Sequence, residues 1–299
     1  MSSYLEASAR ERVQGLLDRG SFREFMPPAE RVTSPHLAQL DAPVSFDDGV
    51  TVGQGTLDGR SVLVASQEGG FMGGAVGEVH GAKLAGLLRR ALQQRPHAVL
   101  LLLDTGGVRL HEANAGLIAV SEVMRAILDV RDAGIPVVVL VGGANGCFGG
   151  MGIAARCADA IVMSEEGRLS LSGPEVIETA NGVEEFDSRD RALVWRTCGG
   201  KHRYLLGDAD QLVADDIAAF RRGALEAIAA STSNGTALTL ERLDAEQMLL
   251  AQRLQRFGDA EDALDIWLEL GIAQAERLPL LEADAFCAAA STHRLGETQ

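Results

Sequence analysis

The sequence predicts an α/β fold from three features. Val99–Leu103 and Pro136–Val141 are apolar runs of strand length, the pattern of strands covered on both faces. Each run leads into glycines where the chain must turn, at Asp104-Thr105-Gly106-Gly107 and within Gly142–Gly150. Strand-like and helix-like segments alternate along the middle of the chain, as they do in α/β proteins.

Residues 1–20 read as a short amphipathic helix closing at Gly20, and residues 21–45, with four of the eight prolines, as an extended arm. Val50–Leu57 and Ser61–Gln67 flank Asp58-Gly59, the signal of a β-hairpin. A glycine-dense stretch, Glu68–Lys83, leads into a helix with Leu84, Leu87, Leu88 and Leu92 at helical spacing, which Pro96 ends. After the Val99–Leu103 strand, a helix over Ala113–Asp132 sets Leu117, Val120, Met124, Ile127 and Leu128 on one side, and Gly134 and Pro136 close it. The next strand runs into a glycine turn and short helix within Gly142–Asp159. Ala160–Met163 and Arg168–Ser172 read as short strands, and Gly173-Pro174 as the start of a further helix. From about residue 235 helix formers dominate; Leu249, Leu250, Leu254, Ala263, Leu264 and Trp267 are candidate apolar positions of a packing or assembly surface.

Composition narrows the function. The chain is 46% hydrophobic and 23% charged, as ordinary globular proteins are. Its 27 Lys+Arg against 42 Asp+Glu give a net charge of -15, which argues against non-specific nucleic-acid binding. None of the four cysteines has the C-x-x-C spacing of a zinc ribbon or redox pair. The polar N-terminus and the short apolar runs predict a soluble, cytoplasmic protein without a membrane partner.

Glycine opens backbone conformations closed to other residues and lets a ligand approach main-chain N–H groups. The first N–H groups of a helix lack internal partners and sit at the positive end of its dipole. A buried strand, a glycine pair and a helix start therefore form an anion-stabilising site from backbone alone, and the pattern occurs twice, ending at Gly106-Gly107 and at Gly149-Gly150. Two such bends at one edge of the core supply one N–H each to a single oxygen, the geometry of an oxyanion hole; otherwise they are tight turns.

Other chemistries fit less well. Gly150–Ala155 matches G-x-G-x-x-A, but the next strand ends near Met163, short of the acidic residue a dinucleotide site places about 20 positions on. There is no G-K-[ST] phosphate loop and no G-x-S-x-G elbow. His111-Glu112 begins a zinc-protease pattern, but Ala115 stands where the second ligand belongs, so no metal site is expected. Enolate chemistry on an acyl thioester needs an oxyanion site and a path for a proton or CO2, and no covalent nucleophile.

Four blocks in order, "FMGGAVGEVHGAK", "DTGGVRLHEA", "GCFGGMGIAARCAD" and "EGRLSLSGPEVIE", resemble the carboxyltransferase branch of the crotonase superfamily, from about Val50 to Ile217. Within it, the N-terminal arm, the "SQEGGFMGGAVGEVHGAKLA" block and the length are most similar to the β subunits of biotin-independent malonate decarboxylases. The resemblance implies a crotonase-like spiral of ββα units over residues 46–235, preceded by the helix and arm of 1–45 and followed by a helical region at 236–299. It implies that Gly106, Gly107, Gly149 and Gly150 bind the thioester oxygen through their N–H groups, with Gly73, Gly74 and Gly146 near the thioester arm. It also implies a γ subunit and an acyl carrier protein as partners. The implied reaction is malonyl carrier to acetyl carrier and CO2, with no cofactor expected on this chain and a CoA-like phosphopantetheine arm expected on the acyl carrier.

The runner-up is the carboxyltransferase β subunit of a biotin-dependent acyl-CoA carboxylase or decarboxylase. Bacterial acetyl-CoA carboxylase members typically carry an N-terminal four-Cys zinc ribbon, and here no Cys precedes Cys147. A non-catalytic scaffold of the same fold is the third reading. His80, His111 and Glu112 are candidate proton donors, or capping and packing residues. Arg109 is placed to hold a carboxylate or phosphate, or to make a salt bridge at a helix start. Arg196 and Lys201-His202-Arg203 form the densest basic run, a solvated face or a meeting point for the acidic carrier.

Overall fold

Every residue of the strand Ala98–Leu103 is buried. Val99, Leu101 and Leu103 face one apolar cluster, and Ala98, Leu100 and Leu102 face another. Successive side chains point to opposite faces, so a strand covered on both sides must be apolar at every position.

The structure, a computed structural model, describes residues 2–39 and 46–296. Its seven-stranded sheet takes the strands in chain order: β1 Arg23–Phe25, β2 Val50–Leu57, β3 Arg60–Gln67, β4 Ala98–Leu103, β5 Val137–Val141, β6 Ala160–Ser164 and β7 Gln211–Val213. The first two pairings are antiparallel and the rest parallel. The helices are α1 Ala9–Leu16, α2 Pro35–Gln39, α3 Glu78–Gln94, α4 Ala115–Asp132, α5 Gly150–Arg156, α6 Pro174–Asn181, α7 Arg191–Cys198, α8 Gly200–Leu205, α9 Ile217–Asn234, α10 Leu240–Phe257, α11 Ala263–Glu269 and α12 Ala283–Ala290. Helices α3, α4 and α5 cover one face of the sheet, and α1 and α9 the other.

The β2–β3 hairpin turns on Asp58 and Gly59, both with positive φ, as a two-residue hairpin requires. The arm is not extended throughout. Arg23–Phe25 adds a strand to β2, where Gly53 leaves room: a Cβ there would collide with the Arg23 carbonyl and the Phe22 ring. Residues 40–45 of the expected arm, Pro43 among them, lie outside the described residues. Helix α3 begins inside the glycine-dense stretch, and Gly81 lets it cross α4 against Ala119. The buried face of α4 is Ala119, Val120, Val123, Ala126, Ile127 and Val130; Leu117 and Leu128 fall outside that stripe and are exposed. The segment Arg168–Ser172 stays off the sheet and bridges Cys147 through Leu169.

In the C-terminal region α11 and α12 bury Trp267 and Phe286 against Leu205 and Leu212. Leu250 and Leu254 of α10 remain exposed. No described helix is long and apolar enough to cross a membrane.

Candidate active site

Leu103 pairs with Val141, so β4 and β5 release their glycine bends from neighbouring points at one end of the sheet. The bends then stay in register. Thr105 bridges Cys147, its N–H donating to the Gly146 carbonyl at 2.7 Å, and the Phe148 N–H donates to the Thr105 carbonyl at 3.0 Å. On one side the Cys147 N–H donates to the Arg168 carbonyl at 2.8 Å; on the other, the Gly106 N–H donates to the Gly73 carbonyl at 3.0 Å. Four loops are thereby laced side by side.

Of the four predicted donors, two are glycine by conformation: Gly107 at φ +144° and Gly149 at φ +65°, where side chains are rarely tolerated. A Cβ built on Gly149 would stand 3.4 Å from the Gly107 Cα, so the bends touch. Nothing lies within 4 Å of a Cβ built on Gly107 or on Gly73, so there is open space at each.

Hydrogen bonds sort the four predicted donors. The Gly106 N–H is held by Gly73, and the Gly149 N–H donates to the Leu171 carbonyl at 2.8 Å. The Gly107 N–H meets only the Thr105 hydroxyl, at 3.2 Å. The Gly150 N–H has no acceptor among the described residues. Gly107 and Gly150 are therefore the two amides left to receive a ligand. Gly150 is small for packing, since a Cβ there would lie 2.7 Å from Val120 Cγ1 of α4. Gly74 and Gly146 serve the turns: a Cβ on Gly74 would collide with the Asp104 carbonyl, and one on Gly146 would reach the Arg168 carbonyl at 2.9 Å.

Arg109 is buried, and its guanidinium is already engaged. It pairs with Asp47 at 2.6 Å and Glu112 at 3.3 Å, and Nε donates to the Ala75 carbonyl at 2.9 Å. Burial opposes the charge on Asp47, but the Arg109 hydrogen bonds and charge outweigh it and hold the carboxyl below its ordinary pKa. The salt-bridge alternative is thus the one the geometry adopts, with four of the five N–H groups engaged and the side chain only 3% exposed. Glu112 also caps α3, accepting the Glu78 N–H at 2.6 Å. His80 is fully buried, and burial lowers its pKa to about 3. His111 sits in the turn Leu110–Glu112 after the first bend, with its side chain 39% exposed. The basic run is paired within the chain: Arg196 with Asp262, Lys201 with Glu165, and Arg203 with Asp208, while His202 accepts the Trp267 indole N–H.

Asp104 lies in the first predicted bend but has no role legible in the sequence. Its signal is an acid at the end of a strand with no other polar residue. The carboxylate is buried between the two bends, accepting from Arg12 Nη1 at 2.9 Å and from the Asn145 N–H at 2.8 Å.

Residues 6–225 match the carboxyl transferase domain. The chain is 40% identical to the malonyl-S-ACP:biotin-protein carboxyltransferase of Malonomonas rubra, over 96% of this chain and 95% of that protein. It is 43% identical to a chain of the crystal structure of a Pseudomonas malonate decarboxylase hetero-tetramer in complex with malonate, with a TM-score of 0.77, covering 88% of this chain and 95% of that one. A more distant relative is the propionyl-CoA carboxylase β chain of Saccharopolyspora erythraea, 32% identical over 69% of this chain and 37% of the relative. With the domain matched over most of its length, on a crotonase-like sheet whose glycine bends touch, the chain belongs to the carboxyl transferase domain family.

Proposed function

We propose that this chain is the β-type subunit of a malonate decarboxylase. With a γ subunit it converts a malonyl thioester on an acyl carrier protein to the acetyl thioester and CO2. The observation that carries this is the contact between Gly107 and Gly149, which sets on adjoining bends the Gly107 N–H, held only by the Thr105 hydroxyl, and the Gly150 N–H, which has no acceptor among the described residues.

The chemistry follows from those amides. The bond between the malonyl carboxylate and its α-carbon breaks, CO2 leaves, and the electron pair moves onto the thioester oxygen as an enolate. Preorganised N–H groups bind that oxygen more strongly as its charge grows, and such differential binding is what accelerates the step. The enolate carbon then takes a proton. His111, half-exposed after the first bend, is the candidate donor on this chain. The arm that presents the thioester is the carrier's phosphopantetheine, which this chain receives as part of the substrate. Apolar side chains stand exposed around the bends, among them Leu110 at 82%, Leu171 at 63% and Ile153 at 48%. Such a patch suits coverage by a partner subunit.

A second reading shares the first half of this reaction. The Malonomonas rubra relative is a carboxyltransferase to a biotin-protein, so the CO2 unit here passes instead to a biotinyl carrier. Mixing this chain with its γ subunit and malonyl carrier decides between the two. Acetyl carrier and free CO2, formed equally with avidin present, are the expected products; a requirement for biotinyl protein favours the second reading, and no turnover in either assay refutes both.

A further inference from the structure

We propose that Asp104 is a positioning residue for the oxyanion pair, its carboxylate fixing the second bend against the first; the catalytic part of this claim rests on the function proposed above. Asp104 is the residue immediately before Thr105-Gly106-Gly107. Its Oδ1 accepts the Asn145 N–H at 2.8 Å, four residues before Gly149. One side chain on the first bend thus holds the backbone of the second. Its own N–H donates to Gln67 Oε1 at 2.9 Å, so the clamp is tied to β3 at its root.

The other oxygen, Oδ2, takes Arg12 Nη1 of α1 at 2.9 Å, with both side chains only 3% exposed. Arg12 is fixed in turn by the Tyr4 carbonyl at 2.9 Å and the Leu5 carbonyl at 3.2 Å. Gly69 and Gly143 leave the space the carboxylate needs; a Cβ on either would collide with it. Helix α1 also reaches the third loop, where its Ala9 N–H donates to Glu68 at 2.9 Å and Glu68 accepts the Gly70 N–H at 3.1 Å. Ion pairs this deeply buried add little net stability over apolar side chains of the same volume, and their best-attested use is to fix one arrangement among several. The arrangement fixed here is the spacing of two bends whose amides must converge on one atom. Misplacement by about 1 Å in such a constellation costs about 10²-fold in rate.

Two double variants test this, because each removes the guanidinium that a single change would leave buried and unpaired. Asp104→Asn/Arg12→Met keeps an acceptor for the Asn145 N–H; Asp104→Ala/Arg12→Met does not. Amide hydrogen exchange on the full chain is read over residues 143–151, and kcat and KM are read on the complex with malonyl carrier. The Ala variant is expected to speed exchange of the Asn145 amide and to lower kcat by about 10²-fold with KM nearly unchanged. The Asn variant should stay close to the parent protein in both. Unchanged exchange in the Ala variant overturns the clamp, whatever the activity. Faster exchange with unchanged kcat, loss confined to KM, or equal loss in both variants overturns the positioning role. If the parent complex does not turn over, the proposed function fails, and the exchange data still decide whether Asp104 holds the second bend.

Discussion

Gly149 and Gly107 meet across the two bends, with a Cβ built on one only 3.4 Å from the Cα of the other. The bends are separated by a helix and a strand in sequence, yet they touch. This contact follows from parallel neighbours β4 and β5 ending at the same level, Leu103 against Val141.

Gly107→Ala should cripple turnover more than binding. Open space surrounds the added Cβ, but φ +144° does not suit a side chain, so the backbone must shift and take its N–H with it. The expected result is a fall in kcat of about 10²-fold with little change in KM, measured by CO2 release from the assembled complex. Unchanged kcat would remove Gly107 from the site.

At Gly150 the constraint is packing. Gly150→Ala brings a Cβ to 2.7 Å from Val120 Cγ1 and should cost about 1–3 kcal/mol of stability in urea unfolding. Adding Val120→Ala should recover part of that loss. Equal stability of Gly150→Ala and the parent protein would contradict the packing account.

Arg109→Met should unfold the protein more readily while leaving substrate affinity per folded molecule intact. It strands the carboxylates of Asp47 and Glu112 in a buried site, a loss of about 3–5 kcal/mol. Thermal melts together with KM separate this from substrate binding; a large rise in KM at unchanged stability would restore Arg109 as an anion anchor.

His111→Gln tests the proton donor. A general acid contributes about 10²-fold or more, so kcat should fall by that order, and the loss should be confined to the step after CO2 leaves. Full activity would assign the proton to water or to the partner subunit.

The buried histidines predict acid sensitivity. Burial lowers the pKa of both His80 and His202 to about 3, against about 6.5 in the unfolded chain. Between those values only the unfolded state binds the proton, so stability falls as pH drops below about 6.5. Each histidine contributes about 1.4 kcal/mol per pH unit in that window. Urea unfolding between pH 7 and 5 should show the slope, and His80→Gln should remove about half of it. A flat profile would contradict the burial of both rings.

The legible parts of the fold were those with local signals. Asp58-Gly59 marks its hairpin, Val99–Leu103 its buried strand, and Gly134-Ile135-Pro136 the end of α4. Strand β7 is three residues, Gln211–Val213, with no periodicity to read. The buried face of α4 includes Ala119 and Ala126, small residues that a search for large apolar side chains passes over. In the site, the glycines were visible because special backbone geometry demands them. Their donors were not sorted, because Gly106 and Gly149 lose their N–H groups to Gly73 and Leu171, pairings that only the folded loops create. Asp104 carries no legible role, because its partner Arg12 is 92 residues away in sequence.

A crystal structure of the β–γ complex with a malonyl thioester analogue that cannot lose CO2 tests the central claim most directly. The account predicts the thioester oxygen at about 2.7–3.1 Å from the N–H nitrogens of both Gly107 and Gly150. An oxygen bound by neither amide, or pointing away from the two bends, would contradict it.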